Sequence, residues 1–256
     1  MLFPGRMPMS VRIKKTLKSI VRGLHAKFCP PSDSIIIDNE FLEIHDACRR
    51  YAVKTTTKAS LFGLYKAVEY IVRAKIQGDI VECGVWKGGG AMVIARTLLK
   101  FGETHRRLFL YDTFAGMTEP VEVDVGIPDG ASALKRWRRG HFHEWAIISL
   151  EEARANVRNT GYPAENLVFV QGRVEETIPR ICPERIAVLR LDTDWYESTR
   201  HELAHLYPRL SKGGVVLIDD YGYWAGAKKA TDEYFESALI LLSRIDETVR
   251  VGVKVA

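Results

Sequence analysis

The stretch Asp79-Ile-Val-Glu-Cys-Gly84-Val-Trp-Lys-Gly88-Gly89-Gly90 predicts a short buried strand, a glycine-rich turn and the start of a helix. From Gly78 onward, short apolar runs of this kind alternate with segments of helical periodicity. That alternation predicts an α/β fold with a doubly wound, mostly parallel sheet. The predicted strands are 79–83, 107–111, 167–170, 186–191 and 215–218.

The end of the chain follows a different pattern. Residues 249–255 alternate strictly between apolar side chains and other residues, which predicts a half-exposed antiparallel strand near the C-terminus. Helices are predicted at 38–51 and 61–76, ahead of the first strand, and later at 89–101, 150–160, 197–210 and 225–242. Residues 113–147 have only weak periodicity, and a stretch of that length predicts a lid insert.

Charge is concentrated at the start of the chain. The 256 residues carry a net charge of +5, but residues 1–31 hold seven basic residues and no acidic one, so the remainder carries −2. Residues 11–28 place apolar side chains on one helical face, which predicts an N-terminal helical extension. This basic arm could be an oligomer-forming or core-docking helix, a helix at an anionic membrane surface, or a disordered or targeting tail. We expect a homo-oligomer, with any peripheral membrane contact made through residues 1–31.

The compartment and the class of partner follow from similar observations. Four widely spaced cysteines without a C-x-x-C pair are typical of a reducing compartment. The chain has no apolar run of membrane-spanning length and no signal-peptide pattern, so we expect a cytoplasmic protein. The near-neutral charge of residues 32–256 disfavours a nucleic-acid partner.

The glycine-rich turn indicates the kind of ligand. It is neither G-x-G-x-x-G nor a phosphate loop, which disfavours a dinucleotide or a triphosphate. Glu82 ends the first predicted strand just ahead of Gly84, and Asp112 ends the second, where a carboxylate can bind a ribose diol. Together they predict an adenosine-containing ligand, S-adenosylmethionine. Gly172 and Ser149 are candidate adenine-side contacts, although Ser149 and Glu152 also form a capping box.

A second group of candidate residues is acidic. Asp192 and Asp194 follow the fourth predicted strand, and Asp219 and Asp220 follow the fifth. Carboxylates that meet at one edge of a sheet repel one another unless a cation is bound, and hard oxygen ligands suit Mg²⁺. The alternative is that they only cap helices.

Six stretches together resemble one family. They are E-C-G-V-W-K-G-G-G from Glu82, Y-D-T-F-A-G-M from Tyr111, V-Q-G-R-V-E-E-T-I-P from Val170, L-R-L-D-T-D-W-Y-E-S-T from Leu189, L-Y-P-R-L-S-K-G-G from Leu206 and I-D-D-Y-G from Ile218. The chain resembles the macrocin O-methyltransferases, the TylF and MycF group, which methylate sugar hydroxyls. The resemblance spans roughly residues 55–235 and implies a class I methyltransferase fold in which the insert 113–147 corresponds to the lid. We expect the methyltransferase domain to cover residues 32–256.

The resemblance also implies roles for individual residues. Glu82, Gly84 and Asp112 would hold S-adenosylmethionine, and Thr56 or Thr57 would lie near its methionine end. Asp192, Asp219 and Asp220 would hold Mg²⁺, with Asp192 also beside the cofactor.

The expected reaction is Mg²⁺-dependent O-methylation of a sugar or glycosylated metabolite. Asp194 is the first candidate for the general base, and His141 or His143 from the lid is the second. The alternatives are a catechol-type small-molecule O-methyltransferase and a non-catalytic cofactor-binding scaffold.

Overall fold

Five parallel strands form the centre of the fold in the computed structural model, which describes residues 38–54, 56–140 and 146–255. The sheet has the order β3-β2-β1-β4-β5-β7-β6. Strands β1 to β5 run parallel, β7 runs antiparallel to β5, and β6 runs antiparallel to β7. The strands are β1 Asp79–Cys83, β2 Leu108–Asp112, β3 Leu167–Gln171, β4 Ile186–Leu191, β5 Leu210–Ile218, β6 Ser243–Arg244 and β7 Arg250–Val253. The predicted mostly parallel sheet with a C-terminal antiparallel strand is confirmed.

Eight α-helices lie in the described residues, and two of them precede β1. They are α1 Asn39–Cys48, α2 Lys58–Arg73, α3 Gly89–Lys100, α4 Ala133–Arg138, α5 Leu150–Arg158, α6 Val174–Thr177, α7 Tyr196–Leu206 and α8 Ala225–Phe235. None of the described helices combines the length and apolarity needed to cross a membrane. The basic arm, residues 1–31, lies outside the described residues.

Strand alternation divides the core between the two faces of the sheet. Val81, Leu189 and Val216 are fully buried on one face, where Leu203 and Leu206 of α7 pack against them. The other face carries the cross-strand partners Glu82 of β1 and Arg190 of β4. All residues of β4 are buried, as expected for a central strand covered on both faces.

The predicted helix 225–242 is too long: α8 ends at Phe235. Beyond it, Ile240 and Leu242 pack against the core, whereas Leu239 and Leu241 are exposed. This alternation has the period of an extended chain, which suits the approach to the edge strand β6. Packing on the sheet therefore overrides the helical propensity of this apolar run.

The predicted lid insert contains ordered structure of its own. Helix α4 lies within it, and isolated bridges join Val125 to Ser132 and Gly126 to Trp224. Trp224 directly precedes α8, so the insert packs against the segment that follows β5. Residues 141–145 of this insert, including His141 and His143, lie outside the described residues.

Candidate active site

A cavity of about 280 Å³ opens beyond the carboxyl ends of the parallel strands. In sheets of this type, ligands bind where the strand order reverses, which here is between β1 and β4. The cavity is lined by these residues predicted from sequence: Thr56, Thr57, Gly84, Asp112, Gly172, Asp192, Asp194, Asp219 and Asp220. The structure therefore brings most of the predicted site together.

Glu82 and Ser149 do not line this cavity. Ser149 is exposed and caps α5, because its hydroxyl oxygen accepts a hydrogen bond of 3.1 Å from the Glu152 backbone N–H. Thr57 does line the cavity, but it also caps α2: its hydroxyl accepts from the Ser60 N–H at 2.9 Å and donates to Asp246. Thr56, at the same cavity wall, has no such capping role in α2.

Gly84, the residue after β1, lies close against the backbone of Asp192, the residue after β4. Its φ of +84° is a left-handed conformation that favours glycine, and a Cβ there would lie 1.8 Å from the Asp192 backbone oxygen. The Asp192 N–H donates to the Cys83 carbonyl at 2.9 Å, which holds the two strand ends at this separation. A side chain at position 84 would therefore push Asp192 out of place.

Gly84→Ala is expected to destabilise the fold by about 3 kcal/mol, because overpacking against backbone adds to left-handed strain. The midpoint of urea unfolding measures the change, and calorimetry with S-adenosylhomocysteine is expected to show loss of binding. Gly102→Ala is the matched control, since Gly102 has a φ of +68° with nothing within 4 Å of an added Cβ. Equal losses in the two variants would contradict the steric explanation.

Asp112 holds the glycine-rich turn in place. Its Oδ2 accepts hydrogen bonds from the N–H groups of Val85 and Trp86, both at 2.8 Å. Its Oδ1 accepts from the Phe114 N–H at 2.8 Å. The Thr113 hydroxyl also lies 3.4 Å from Oδ1, but it donates its proton to the Gly116 carbonyl. A carboxylate has about four acceptor positions, so Oδ2 is filled and Oδ1 can still accept from a ribose hydroxyl.

Glu82 lies behind the glycine-rich turn, with 1% of its surface exposed. Its Oε1 accepts from Arg190 Nη1 at 2.8 Å, and a Cβ on Gly90 would approach that oxygen to 2.0 Å. Burial raises the pKa of Glu82 to about 7, although the Arg190 charge acts in the opposite direction. The predicted cofactor residue therefore belongs to a buried ion cluster under the site.

Arg190 is the centre of that cluster and is not among the residues predicted from the sequence. Its guanidinium pairs with Glu82, with Asp192 at 2.7 Å and with Asp219. Burial alone would lower the pKa of Arg190, but the carboxylates of Asp192 and Asp219 raise it, so the side chain stays charged. A charged residue inside an apolar strand was the available signal, because a buried charge requires a partner.

Asp194 projects from a strained backbone position into the cavity. Its φ is +67°, which is uncommon for a residue other than glycine. Its N–H donates to Asp220 Oδ2 at 3.2 Å, and its Oδ1 accepts from the Trp224 indole N–H at 2.7 Å. Burial raises the pKa of Asp194 to about 7, against the effect of the Trp224 hydrogen bond.

The carboxylates next to Asp194 also have raised pKa values. Burial, and then repulsion from the other carboxylates, raises the pKa of Asp192 and of Asp220 well above the ordinary value, although Arg190 acts in the opposite direction. Asp192 and Asp219 both pair with the guanidinium of Arg190, which also pairs with Glu82. A site of this composition has the electrostatic character that favours an additional cation.

The carboxylates in the cavity match Mg²⁺ in the type of ligand atom that they offer. Carboxylate oxygens are the ligands that Mg²⁺ prefers, and Asp192, Asp219 and Asp220 supply them at adjacent strand ends. Within residues 38–54, 56–140 and 146–255, no group of three or more His, Cys, Asp or Glu side chains is already arranged around a metal position. In this structure, Arg190 takes one oxygen each from Asp192 and Asp219.

Comparison with known proteins gives consistent matches. The profile of the macrocin-O-methyltransferase (TylF) family matches residues 42–251. The chain is 40% identical over 162 residues to 8-demethyl-8-(2,3-dimethoxy-alpha-L-rhamnosyl)-tetracenomycin-C 4'-O-methyltransferase of Streptomyces olivaceus, a match that covers 63% of this chain and 59% of that protein. It is 34% identical over 174 residues to demethyldecarbamoylnovobiocin O-methyltransferase of Streptomyces niveus, covering 68% and 64%. The matched stretches therefore span less than two thirds of both relatives.

A solved structure extends the similarity to the fold. The O-methyltransferase NovP superposes with a TM-score of 0.68 at 30% sequence identity, covering 78% of this chain and 81% of NovP. The sheet and the cavity at its carboxyl edge therefore belong to a class I methyltransferase fold.

Proposed function

The chain belongs to the TylF macrocin O-methyltransferase family, and from this we propose that it transfers a methyl group from S-adenosylmethionine to a hydroxyl of a sugar or glycosylated small molecule, with Mg²⁺ as cofactor. One observation carries the proposal. Asp194, the candidate base, lies in the same cavity as the glycine-rich turn and the carboxylates that follow β4 and β5. A methyl donor and a hydroxyl acceptor can therefore meet next to a proton acceptor.

The cofactor side of the cavity is formed by small residues and backbone. Gly84 and Gly172 both have positive φ and line the cavity, so a ligand can approach their backbone closely. Asp112 offers its remaining Oδ1 position to a ribose hydroxyl, and Thr56 lies on the wall assigned to the methionine end. When bound, S-adenosylmethionine supplies a methyl group activated by a sulfonium. The residues of this chain orient it.

The acceptor side must activate a poor nucleophile. A sugar hydroxyl is almost fully protonated at neutral pH, so its oxygen needs a base as it attacks the methyl carbon. Asp194 accepts that proton, because it lines the same cavity beside the carboxylates that follow β4 and β5 and is not itself assigned to the metal. Bound Mg²⁺, held by Asp192, Asp219 and Asp220, would lower the pKa of a coordinated hydroxyl.

The relatives support the sugar acceptor, since the name of the Streptomyces olivaceus protein specifies a rhamnosyl group. The protein is proposed to act on small molecules and not on nucleic acid. We also propose a cytoplasmic enzyme: Cys48, Cys83 and Cys182, the cysteines among the described residues, are free thiols. Homo-oligomer formation and membrane contact through residues 1–31 stay predictions.

Removal of divalent metal is expected to lower the rate of methyl transfer about 100-fold, because the activated hydroxyl and its fixed position are lost together. The assay follows radiolabel from S-adenosylmethionine to methyl α-L-rhamnoside, to nucleotide-linked rhamnose and to a catechol, with and without EDTA. EDTA saturated with Mg²⁺ is the control and is expected to leave the rate unchanged.

Three results would count against the proposal. If EDTA left the rate of methyl transfer unchanged, Mg²⁺ would not be required for the reaction. Methylation of the catechol alone would replace the sugar acceptor by a catechol-type acceptor. Binding of S-adenosylhomocysteine without transfer to any of the acceptors would favour the non-catalytic scaffold.

A further inference from the structure

We infer that Trp224 is a positioning residue for Asp194, and that the insert after β2 holds this pair in place. The inference rests on the proposed function, because Asp194 is the proposed base. Trp224 donates its indole N–H to Asp194 Oδ1 at 2.7 Å. A donor at Oδ1 withdraws charge from that oxygen and fixes the carboxylate plane, which leaves Oδ2 for proton transfer. The Asp220 carboxyl also lies within hydrogen-bond reach of the Asp194 carboxyl.

The indole ring cannot easily turn away from Asp194. Trp224 is 3% exposed and packs edge to face on Trp195, with ring centroids 4.9 Å apart. Tyr223 also packs edge to face on Trp224, at the same centroid distance. The Trp195 indole N–H donates to the Thr118 carbonyl at 2.9 Å, so the supporting ring is itself tied to the insert. The donor therefore stays fixed relative to the cavity.

Asp194 needs such support because its own backbone is strained. A φ of +67° at a residue other than glycine persists only where surrounding contacts maintain it. The contacts here are the Trp224 hydrogen bond on the side chain and the Asp220 carboxylate on the backbone N–H. Loss of the first would free the Asp194 side chain to change direction.

The insert connects to both partners of this hydrogen bond. On the Trp224 side, the Ala225 N–H donates to the Val125 carbonyl at 2.9 Å, and the Ile127 N–H donates to the Tyr223 carbonyl at 2.8 Å. These two bonds fix the backbone on either side of Trp224. The insert thus holds the segment that carries the donor.

On the Asp194 side, the insert contributes a buried carboxylate. Asp124 is fully buried, and its Oδ1 accepts from the N–H of Tyr196, the first residue of α7, at 2.9 Å. A Cβ on Gly226 would approach that oxygen to 1.8 Å, so α8 packs directly against Asp124. One segment of the insert therefore fixes the helix that begins after Asp194 and the helix that begins after Trp224.

The kinetic test compares Trp224→Phe with Tyr162→Phe in the full chain. Each variant removes one buried side-chain donor, but Trp224 donates to Asp194, whereas the Tyr162 hydroxyl donates to the Arg106 carbonyl and does not line the cavity. Trp224→Phe is expected to lower kcat about 10- to 100-fold, the loss associated with a hydrogen bond to a charged group, with the KM for S-adenosylmethionine unchanged. Tyr162→Phe is expected to lower kcat less than about threefold.

A spectroscopic readout distinguishes positioning from general stability. The chain has five tryptophans, and ¹⁵N labelling resolves their indole N–H signals. The signal that Trp224→Phe removes is expected to shift in the Asp194→Asn variant and to stay in place in Asp232→Asn, which removes an exposed carboxylate of α8. This measurement on Asp194→Asn does not depend on the activity of the Trp224 variant.

The outcomes separate the inference from the function that it rests on. Wild-type kcat in a folded Trp224→Phe variant, or an unshifted Trp224 signal in Asp194→Asn, overturns the positioning role. Wild-type turnover in Asp194→Asn overturns the base assignment itself, whatever the indole signals show.

Discussion

Replacement of Asp194 by Asn is expected to lower kcat for methyl transfer about 100- to 10,000-fold, the usual contribution of a general base. The amide keeps the size of the side chain and can still accept from the Trp224 indole N–H, but it cannot take up the hydroxyl proton. The affinity for S-adenosylhomocysteine, measured by calorimetry, is expected to change little.

The control variants test whether the loss of activity is specific to Asp194. Asp232→Asn removes a carboxylate from the exposed side of α8 and is expected to keep wild-type turnover. His141→Ala and His143→Ala change the other two candidates for the base. If Asp194→Asn kept near-wild-type turnover while either His variant abolished it, the base would be the histidine.

Arg190→Met is expected to destabilise the fold by about 3–5 kcal/mol, because it leaves buried carboxylates without their counter-charge. Glu82, Asp192 and Asp219 all lose the same guanidinium. Urea unfolding measures the loss. Arg107→Met is the matched control: Arg107 is 51% exposed and pairs with Asp79, so we expect a change of at most about 1 kcal/mol.

The pH dependence of the Arg190→Met variant has a defined sign. Burial already raises the pKa of Glu82 to about 7 with Arg190 present, which is above its value in the unfolded chain. The folded state therefore binds this proton more tightly than the unfolded state. The free energy of unfolding falls as the pH rises from the ordinary pKa of 4.5 to about 7. The deficit of the variant is expected to be smaller at mildly acidic pH than at alkaline pH. An equal deficit at both would contradict the ion-cluster account.

The elements that the sequence predicted correctly depend on the order of apolar and polar residues within a short stretch of chain. The runs that became β1 and β4 are apolar without alternation because both faces are covered, and a buried strand of this kind is visible in the sequence. The glycine-rich turn and the carboxylates after β4 and β5 sit at strand ends, and parallel strands bring their carboxyl ends to one edge. Their convergence on one cavity follows from topology.

The parts that sequence did not predict depend on partners far apart in the chain. Glu82 and Arg190 are 108 residues apart, and only the pairing of β1 with β4 makes them neighbours. The hydrogen bonds from Val85 and Trp86 to Asp112 use backbone N–H groups, which leave no trace in residue type. The Trp224 indole donates to Asp194 across 30 residues of chain, and the residue type alone does not distinguish it from a core aromatic.

Transfer of a ¹³C-labelled methyl group tests the central claim most directly. Wild-type protein is incubated with [methyl-¹³C]S-adenosylmethionine, Mg²⁺ and methyl α-L-rhamnoside or nucleotide-linked rhamnose, and the products are examined by NMR. A new O-methyl signal that correlates with a carbon of the sugar ring is expected with the wild-type protein, and almost none with Asp194→Asn. This expectation would be contradicted if the wild-type protein bound S-adenosylhomocysteine but placed the label on no hydroxyl.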